Sequence, residues 1–258
     1  MLNIIKMNDS IWRIHEENRT TNPDAYLVVG NDRAVVIDAL ESEAGLYNTV
    51  KQLTDKPLFL LLTHGHPDHA GVGVDTFVIN HCPVYMNYKD MPLLPLYCSK
   101  TQKDTDVIME LNAGDSFDLG GIVLEAFAIP GHTPGSIAFI EQKHKILFSG
   151  DSLGSGGIWM WLPECLPLSD YLHTLEETKK LFAAIPELIL YPGHIGQSDE
   201  ALGMDYLNDL YQLTKTILEQ DGNVDGTWEH FTLPTGKYKF INTAYGRVTS
   251  YCFSPDKL

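Results

Sequence analysis

The segment His64–His69 combines three histidines and one carboxylate within six residues. Imidazole nitrogen and carboxylate oxygen are the ligands that catalytic zinc sites use in proteins. The segment follows the apolar run Pro57–Leu62, which is typical of a buried strand. We therefore expect its polar side chains at the carboxyl end of that strand, where open α/β sheets place their functional sites.

The spacing inside this segment predicts two neighbouring positions for metal ions. His64 and His66 lie two residues apart, so an extended chain would turn both rings to the same side. Pro67 predicts the start of a helix, which would turn Asp68 and His69 toward a second position. Core packing is a poor alternative, because clustered imidazoles flanked by glycines would have no apolar partner and would repel one another when protonated.

Three further segments each place one metal-type residue directly after a strand-like run. A glycine precedes the candidate ligand in each segment, and the candidates are His132, Asp151 and His194. Glycine lets the backbone turn sharply and approach a crowded site. Each segment alone is a weak signal, but together with His64–His69 they indicate a site for two metal ions.

The ordered patterns HxHxDH, GHTPGS, SGD and PGH resemble those of the metallo-β-lactamase superfamily, in particular its glyoxalase II-like and lactonase-like metallo-hydrolases. The matching part covers roughly residues 20–196. The resemblance implies an α/β fold, namely a four-layer αββα sandwich of two mixed β-sheets flanked by helices.

The same resemblance assigns the candidate ligands to two metals. The first metal would be held by His64, His66 and His132. The second would be held by Asp68, His69 and His194. Asp151 would bridge the two metals together with a water or hydroxide.

Asp38 ends the run Ala34–Asp38 and matches an aspartate that is usual at this strand end in the family. Its implied role is to support the ligand loops by hydrogen-bonding their backbone or imidazole N–H groups. Ala39 and Leu40 follow it, whereas many relatives carry a small residue and a glycine there.

The resemblance implies a metal-dependent hydrolase that cleaves a small ester, thioester or lactone through a metal-bridging hydroxide. Two divalent ions are expected, zinc first because histidine dominates the ligands, with iron or manganese also acceptable. Asp68 would orient the nucleophile, and Asp151 would bridge the metals. Two alternatives stay open: a mononuclear iron persulfide dioxygenase and a non-catalytic metal-binding protein of the same fold.

Charge and composition limit the partners. The chain has 18 basic and 34 acidic residues and therefore a formal net charge of −16. This charge argues against a nucleic-acid partner, because such binding is driven by clustered basic residues.

No apolar run approaches the roughly 20 residues that cross a membrane, and the first residues lack the apolar core of a signal peptide. With four scattered cysteines, we expect a cytoplasmic protein acting on a small molecule other than a β-lactam. A homodimer is left open.

Apolar runs typical of strands alternate with helical patterns along the chain. The predicted strands are Tyr26–Val29, Ala34–Asp38, Pro57–Leu62, Val84–Met86, Val123–Ile129, Ile137–Ile140, Ile146–Phe148 and Leu188–Leu190. The predicted helices are Ser42–Leu53, Asp170–Ala184 with Ser169 as its N-cap, and Asp199–Glu219. In the absence of linkers and repeats, we expect one domain over residues 1–258, in which residues 197–258 form a helix and an aromatic, strand-like tail.

Two tryptophans are candidates for the substrate pocket. The glycine-rich turn Gly154–Gly157 follows Asp151 and leads into Trp159 and Trp161. Such a loop could form an apolar wall over the metals. Packing of the two indoles in the core or in a dimer contact is the alternative.

Overall fold

The computed structural model describes residues 2–17, 21–41, 45–94, 107–154, 157–197, 202–233 and 235–258. In chain order the strands are β1 (Leu2–Lys6), β2 (Ile11–Glu16), β3 (Asp24–Val29), β4 (Ala34–Ile37), β5 (Leu58–Leu61), β6 (Val84–Met86), β7 (Ile108–Glu110), β8 (Ser116–Asp118), β9 (Val123–Ala128), β10 (Ile137–Glu141), β11 (Ile146–Gly150), β12 (Gly157–Met160), β13 (Ile189–Pro192), β14 (Thr227–Leu233), β15 (Gly236–Tyr245) and β16 (Val248–Phe253). Within the described ranges, the α-helices are α1 (Leu46–Leu53), α2 (Gly73–Ile79), α3 (Leu168–Ala184) and α4 (Met204–Glu219), and short 3-10 helices lie at Tyr88–Leu93, Ile195–Gln197 and Pro255–Lys257.

The described strands form three sheets. The first holds β1 to β7 side by side in chain order, antiparallel from β1 to β4 and parallel from β4 to β7. The second has the order β13-β11-β10-β9-β8, and the third has the order β12-β16-β15-β14. One parallel pair in each of these, β11 with β13 and β12 with β16, makes both sheets mixed.

The first two sheets pack face to face. Val35 and Ile37 of β4 share one buried cluster with Phe139 of β10 and Phe148 of β11. All of β4 is buried, because its other face packs against α1 and α2, and this explains its unbroken apolar run. Each such side chain contributes about 1.5–3 kcal/mol when it is fully buried.

The outer face of the second sheet packs against α3, α4 and the third sheet. Leu147 of β11, Tyr171 of α3, Leu210 of α4 and Tyr251 of β16 belong to the same buried cluster. The layers therefore run helices, sheet, sheet, helices. This confirms the αββα sandwich of two mixed sheets, with the third sheet added to the outer layer.

The predicted strands coincide with β3, β4, β5, β6, β9, β10, β11 and β13 to within two residues at either end. The aromatic tail forms β14, β15 and β16, as its strand-like pattern indicates. The single domain over residues 1–258 stays a prediction. Within the described ranges, no helix is both long and apolar enough to cross a membrane.

The helix starts differ from the predictions. Helix α3 begins at Leu168, so Ser169 lies inside the first turn and is not the N-cap. Helix α4 begins at Met204, because the backbone of Leu202 pairs with Leu190 in an isolated bridge. Residues 42–44 and 198–201, where two helices were expected to start, lie outside the described residues.

The helix predicted to begin at Pro67 is also wrong. The amide groups of His69 and Ala70 both donate to the carbonyl of His66, at 3.0 and 2.7 Å, which closes tight turns there. Helix α2 starts only at Gly73. These turns nevertheless reverse the chain between His66 and His69, so the two side chains face different positions.

Candidate metal centre

Three histidine rings converge at the carboxyl end of β5. His64 and His66 follow that strand directly, and His132 lies on the loop that joins β9 to β10. His66 Nδ1 lies 3.1 Å from His64 Nε2 and 2.8 Å from His132 Nε2. All three residues are buried, with whole-residue exposures of 1%, 5% and 2%.

The outer nitrogen of each ring points to a hydrogen-bond acceptor, which fixes where the ring proton lies. His66 Nε2 donates to Glu164 Oε1 at 2.6 Å, and His132 Nδ1 donates to the carbonyl of Trp159 at 2.8 Å. The inward nitrogens of neutral rings then carry lone pairs. Two facing lone pairs 2.8 Å apart repel each other unless a cation lies between the rings.

A proton is a poor candidate for this cation. Burial and the neighbouring His66 ring lower the pKa of His132 to about 4. Burial, followed by the His69 and His66 rings, holds the pKa of His64 well below its ordinary value. Near neutral pH the rings of His64 and His132 are therefore neutral, and the three-nitrogen set fits a divalent metal ion.

A second group contains Asp68, His69, Asp151 and His194. His194 follows β13 and Asp151 follows β11, so the second sheet contributes these two side chains. Asp151 Oδ1 lies 3.1 Å from His69 Nε2, and Asp151 Oδ2 lies 3.2 Å from His194 Nε2. Asp68 Oδ2 lies 3.4 Å from His194 Nε2. This set of two imidazoles and two carboxylates also suits a divalent ion.

Opposite charges dominate the second group. Burial opposes the charge on His194, but Asp151 and Asp68 outweigh it and raise the pKa of His194 to about 10. Burial likewise opposes the charge on Asp68, but His69 and His194 lower its pKa to about 2. Without metal, the group therefore holds protonated imidazoles against ionised carboxylates.

Asp151 lies between the two groups. Its Oδ2 is 3.8 Å from His132 Nε2, in addition to the contact with His194. Its Oδ1 is buried, and although His69 Nε2 lies 3.1 Å away, this oxygen makes no well-aligned hydrogen bond with the described residues. A buried carboxylate oxygen without a well-aligned partner is costly, and a metal ion would satisfy it.

Asp38 connects the two groups from behind. Its carboxylate accepts from the backbone amide of Thr63 at 2.7 Å, from Thr63 Oγ1 at 2.8 Å and from His69 Nδ1 at 2.7 Å. Thr63 Oγ1 has given its only proton to Asp38, so it accepts from His64 Nδ1 at 3.0 Å. One carboxylate thus orients His69 directly and His64 through Thr63.

The backbone around Asp38 is strained. Asp38 and Leu40 both have φ 64, in the left-handed region where glycine is most easily accommodated. Leu40 therefore holds a backbone conformation that glycine adopts at lower cost. Its side chain is fully buried against β4 and α2, and this burial offsets the roughly 1 kcal/mol backbone cost.

Two glycines are required by close approach at the ligand loops. A Cβ at Gly193 would lie 2.3 Å from the His69 ring and 2.5 Å from Asp151 Oδ1. Gly150 has φ 51, and a Cβ there would lie 2.5 Å from Thr63 Oγ1. Glycine before the ligand is therefore a steric requirement at His194 and Asp151.

Two buried aspartates at the site were not found from the sequence. Asp90 accepts from the amide of Gly65 at 3.0 Å, from Thr133 Oγ1 at 2.6 Å and from the amide of Gly135 at 2.7 Å, so it ties the first ligand loop to the loop that carries His132. Burial raises its pKa despite these donors.

Asp24 supports the loop that carries His194. Its amide donates to the carbonyl of Gly193 at 2.7 Å, and its Oδ2 accepts from the amide of Ile195 at 2.8 Å. Its Oδ1 accepts from Arg13 Nε at 2.7 Å. Both Asp24 and Asp90 are single acids with no characteristic spacing, so the sequence offered no signal for them.

The two tryptophans differ in exposure. Trp161 is 2% exposed and stacks on Phe240, with ring centroids 4.7 Å apart. Trp159 is 39% exposed and lies 5.8 Å from the ring of Phe231. The backbone of Trp159 touches the site through His132, whereas a pocket role for either indole stays a prediction.

The chain is similar in sequence to several known hydrolases and in fold to a solved metallo-beta-lactamase. The family model described as the metallo-beta-lactamase superfamily matches residues 19–194. A probable polyketide biosynthesis zinc-dependent hydrolase, BaeB of Bacillus velezensis, is 28% identical over 136 residues, covering 52% of this chain and 55% of that protein. The chain thus spans about half the length of this relative.

Two further relatives are covered more fully. The hydroxyacylglutathione hydrolase GloC of Haemophilus influenzae is 31% identical over 173 residues, covering 62% of this chain and 79% of that protein. The acyl-coenzyme A thioesterase MBLAC2 of Gallus gallus is 29% identical over 243 residues, covering 81% and 82%. Among solved structures, a metallo-beta-lactamase from Pontibacter korlensis shares the fold with a TM-score of 0.67 at 19% identity, covering 83% of this chain and 99% of that one.

Proposed function

Because the family model matches more than half of its length, this chain belongs to the metallo-beta-lactamase superfamily, and we propose that it is a metal-dependent hydrolase with a dinuclear site. The proposed substrate is a small ester, thioester or lactone. Zinc is the proposed metal, since BaeB is a zinc-dependent hydrolase by name and histidine supplies most of the ligands.

One observation carries this proposal. The described residues offer two adjacent groups of ligand atoms, and within each group the atoms lie within 4.8 Å of one another. The first is the three-histidine group, in which buried rings turn nitrogen atoms toward one another. The second contains two carboxylates, one of which, Asp151, also approaches the first group. Two adjacent groups favour two metals over the single iron of a dioxygenase.

We assign the ligands accordingly. The first metal would be held by His64, His66 and His132, and the second by Asp68, His69 and His194, with Asp151 reaching both. Metal ions at these positions would lower the pKa of a water molecule and polarise the substrate carbonyl. Asp68 is ionised and its side chain is 13% exposed, so its carboxylate can orient the attacking water and accept a proton from it.

A thioester is the first substrate class to examine. Hydroxyacylglutathione and acyl-coenzyme A, the substrates named for two of the relatives, are both thioesters. A thioester offers the same electrophilic carbonyl as an ester or lactone, so all three classes suit a site that polarises one carbonyl oxygen.

The test combines metal analysis with a substrate panel. Protein purified without added metal should contain about two zinc ions per chain. In a panel of thioesters, lactones, phosphodiesters and β-lactams, it should hydrolyse thioesters or lactones and leave the other two classes intact. Chelation and Asp151→Ala should each abolish turnover. Asp9→Ala is the matched control, because Asp9 is a fully exposed aspartate far along the chain from every ligand.

Other results would favour the alternatives. One iron per chain with oxygen consumption on persulfides would indicate the dioxygenase, and a chain without metal or turnover would indicate a non-catalytic protein. Full activity after chelation would refute the proposed chemistry.

A further inference from the structure

Glu164 accepts a hydrogen bond from the outer nitrogen of His66, and it is held in place by Lys257, which lies beyond the residues that the family model matches. Glu164 Oε1 accepts from His66 Nε2 at 2.6 Å, and both side chains are largely buried, with exposures of 10% and 7%. Glu164 lies on a tight turn between β12 and α3, residues 162–166, which we name the Glu164 turn. This carboxylate therefore fixes the tautomer and the orientation of one ligand ring.

Lys257 holds the Glu164 turn from the other side. Its ammonium group donates to the carbonyl of Pro163 at 2.9 Å and to that of Cys165 at 2.7 Å, the two residues that flank Glu164. Lys257 is only 8% exposed, although lysine is rarely buried without partners. A buried ammonium group bound to both flanking carbonyls restricts the direction in which Glu164 points.

The topology of the third sheet creates this contact. Strands β12 and β16 are parallel neighbours, with Met160 opposite Phe253. Both chains continue past the same end of the sheet, so Glu164 and Lys257, each four residues farther on, arrive together. Strand β16 and Lys257 lie beyond residue 194, where the family match ends.

The Glu164 turn is also fixed to the ligand loop itself. The amide of Leu166 donates to the carbonyl of Gly131, the neighbour of His132, at 2.8 Å. Cys165 Sγ donates to the carbonyl of Trp159 at 3.4 Å, the same carbonyl that accepts from His132. These two hydrogen bonds hold the turn beside the His132 loop independently of Lys257, so the direction of Glu164 is what Lys257 adds, whereas the contacts of the second group lie elsewhere.

We propose that Glu164 and Lys257 are positioning residues for the three-histidine metal, Glu164 by orienting His66 and Lys257 by holding the turn that carries Glu164. The inference rests on the proposed dinuclear function. The third sheet then has a role at the site. The register of β12 against β16 brings Lys257 to the Glu164 turn, and it therefore influences how tightly the three-histidine metal is bound.

The test measures the dissociation constants of both zinc ions by competition with a chromophoric chelator. Glu164→Gln and Lys257→Met should each weaken one of the two ions by about 10- to 100-fold and leave the other nearly unchanged. Lys257→Arg should recover most of the affinity, because arginine can donate to both carbonyls. Glu177→Gln and Lys180→Met, which alter an exposed ion pair on α3, are the matched controls.

A double-mutant cycle separates positioning from general stability. Since Lys257 acts through Glu164, the double variant should bind the affected ion no more weakly than Glu164→Gln alone. Additive losses would overturn the proposal, as would a Lys257→Met variant whose metal-free form is less stable to urea while both zinc affinities are unchanged. If Lys257→Met does not fold, Glu164→Gln and Lys257→Arg still decide the question.

The outcomes also separate this inference from the proposed function. If the unmodified chain binds two zinc ions and hydrolyses its substrate while Glu164→Gln leaves both affinities unchanged, only the positioning role fails. If the unmodified chain binds no metal, the function and the positioning role fail together.

Discussion

At the level of single residues, each histidine of the site turns one ring nitrogen to a hydrogen-bond acceptor and the other ring nitrogen toward a metal position. His69 Nδ1 donates to Asp38 at 2.7 Å, and His194 Nδ1 lies 3.4 Å from the carbonyl of Asn22. His64, His66 and His132 likewise turn their outer nitrogens to acceptors. The inward nitrogens are thus directed at the metal positions by hydrogen bonds rather than by ring packing alone.

The protonation of the second group predicts that metal uptake there releases protons. His194, with a pKa of about 10, and His69, whose pKa is raised by Asp151 and its neighbouring carboxylates against the effect of burial, are protonated near neutral pH. A metal must displace these protons, so affinity should rise as the pH rises from 6 toward 9. Calorimetric titration with zinc in buffers of different ionisation enthalpy should show release of about two protons at this site.

The first group provides an internal comparison. His64 and His132 have lowered pKa values and are already neutral near pH 7, so neither should release a proton when the metal binds. A binding heat for the second site that does not change with the buffer would contradict the predicted charge state of His194.

Replacing the buried carboxylate of Asp90 by an amide of the same shape should lower the free energy of unfolding. Asp90→Asn keeps the shape but turns an amide N–H₂ toward one of the donors from Gly65, Thr133 or Gly135. Leaving a buried donor without an acceptor should lower the free energy of unfolding by about 2 kcal/mol, as measured by urea denaturation of the metal-free protein. Asp9→Asn on the exposed surface is the control, and equal stability of the two variants would show that Asp90 is dispensable.

At the level of elements, the candidate ligands follow strand ends in both large sheets. The sequence predicted these positions, because a strand appears as an apolar run and four of the runs are followed within four residues by a candidate histidine or aspartate. Asp38 lies at the end of β4, where the sequence analysis expected it, and its supporting role, taken from the family resemblance, stays a prediction that its contacts with Thr63 and His69 support. The ligand loops are short, so local patterns were sufficient to locate them.

The supporting residues could not be predicted in the same way. Asp24, Asp90 and Glu164 each meet partners from distant segments, and a single acid carries no spacing that distinguishes it from a surface residue. The third sheet was missed for a related reason, since the pairing of β12 with β16 joins segments about ninety residues apart. The helix starts were wrong where a backbone pairing, such as Leu202 with Leu190, replaced the expected turn.

The hairpin of β14 and β15 predicts different roles for the two tryptophans. Trp161 is buried under Phe240 and Phe231, so Trp161→Ala should cost about 3–5 kcal/mol of stability, seen in urea denaturation. Trp159 is partly exposed on an edge strand whose backbone contacts His132. Trp159→Ala should cost less stability and should raise KM more for thioesters with long acyl chains than for acetyl thioesters.

Trp228→Ala is the matched control for this measurement. Trp228 is 52% exposed on the same sheet and lies under Lys239, 4.1 Å from its ring centroid. Its removal should leave KM unchanged at every chain length. If KM for Trp159→Ala is also constant across the acyl series, Trp159 does not line the pocket.

At the level of the whole molecule, the candidate metal centre joins the two large sheets. The first sheet contributes the segment His64–His69 after β5, and the second contributes His132, Asp151 and His194. Each ligand group contains residues from both sheets. Metal ions at these positions would therefore link two layers that also pack through a shared apolar cluster.

This arrangement predicts that metal removal destabilises the whole chain. A ligand present at about 1,000 times its dissociation constant stabilises the folded state by about 4 kcal/mol, and a chain of this size gains roughly 2–4 °C in unfolding midpoint per kcal/mol. Chelation should therefore lower the midpoint in calorimetry by about 10 °C, and added zinc should restore it. In Asp151→Ala, which loses the carboxylate that approaches both groups, the difference between the zinc-loaded and chelated forms should shrink to a few degrees at most. Equal midpoints for the loaded and chelated forms of the unmodified chain would show that the sheets do not depend on metal for their association.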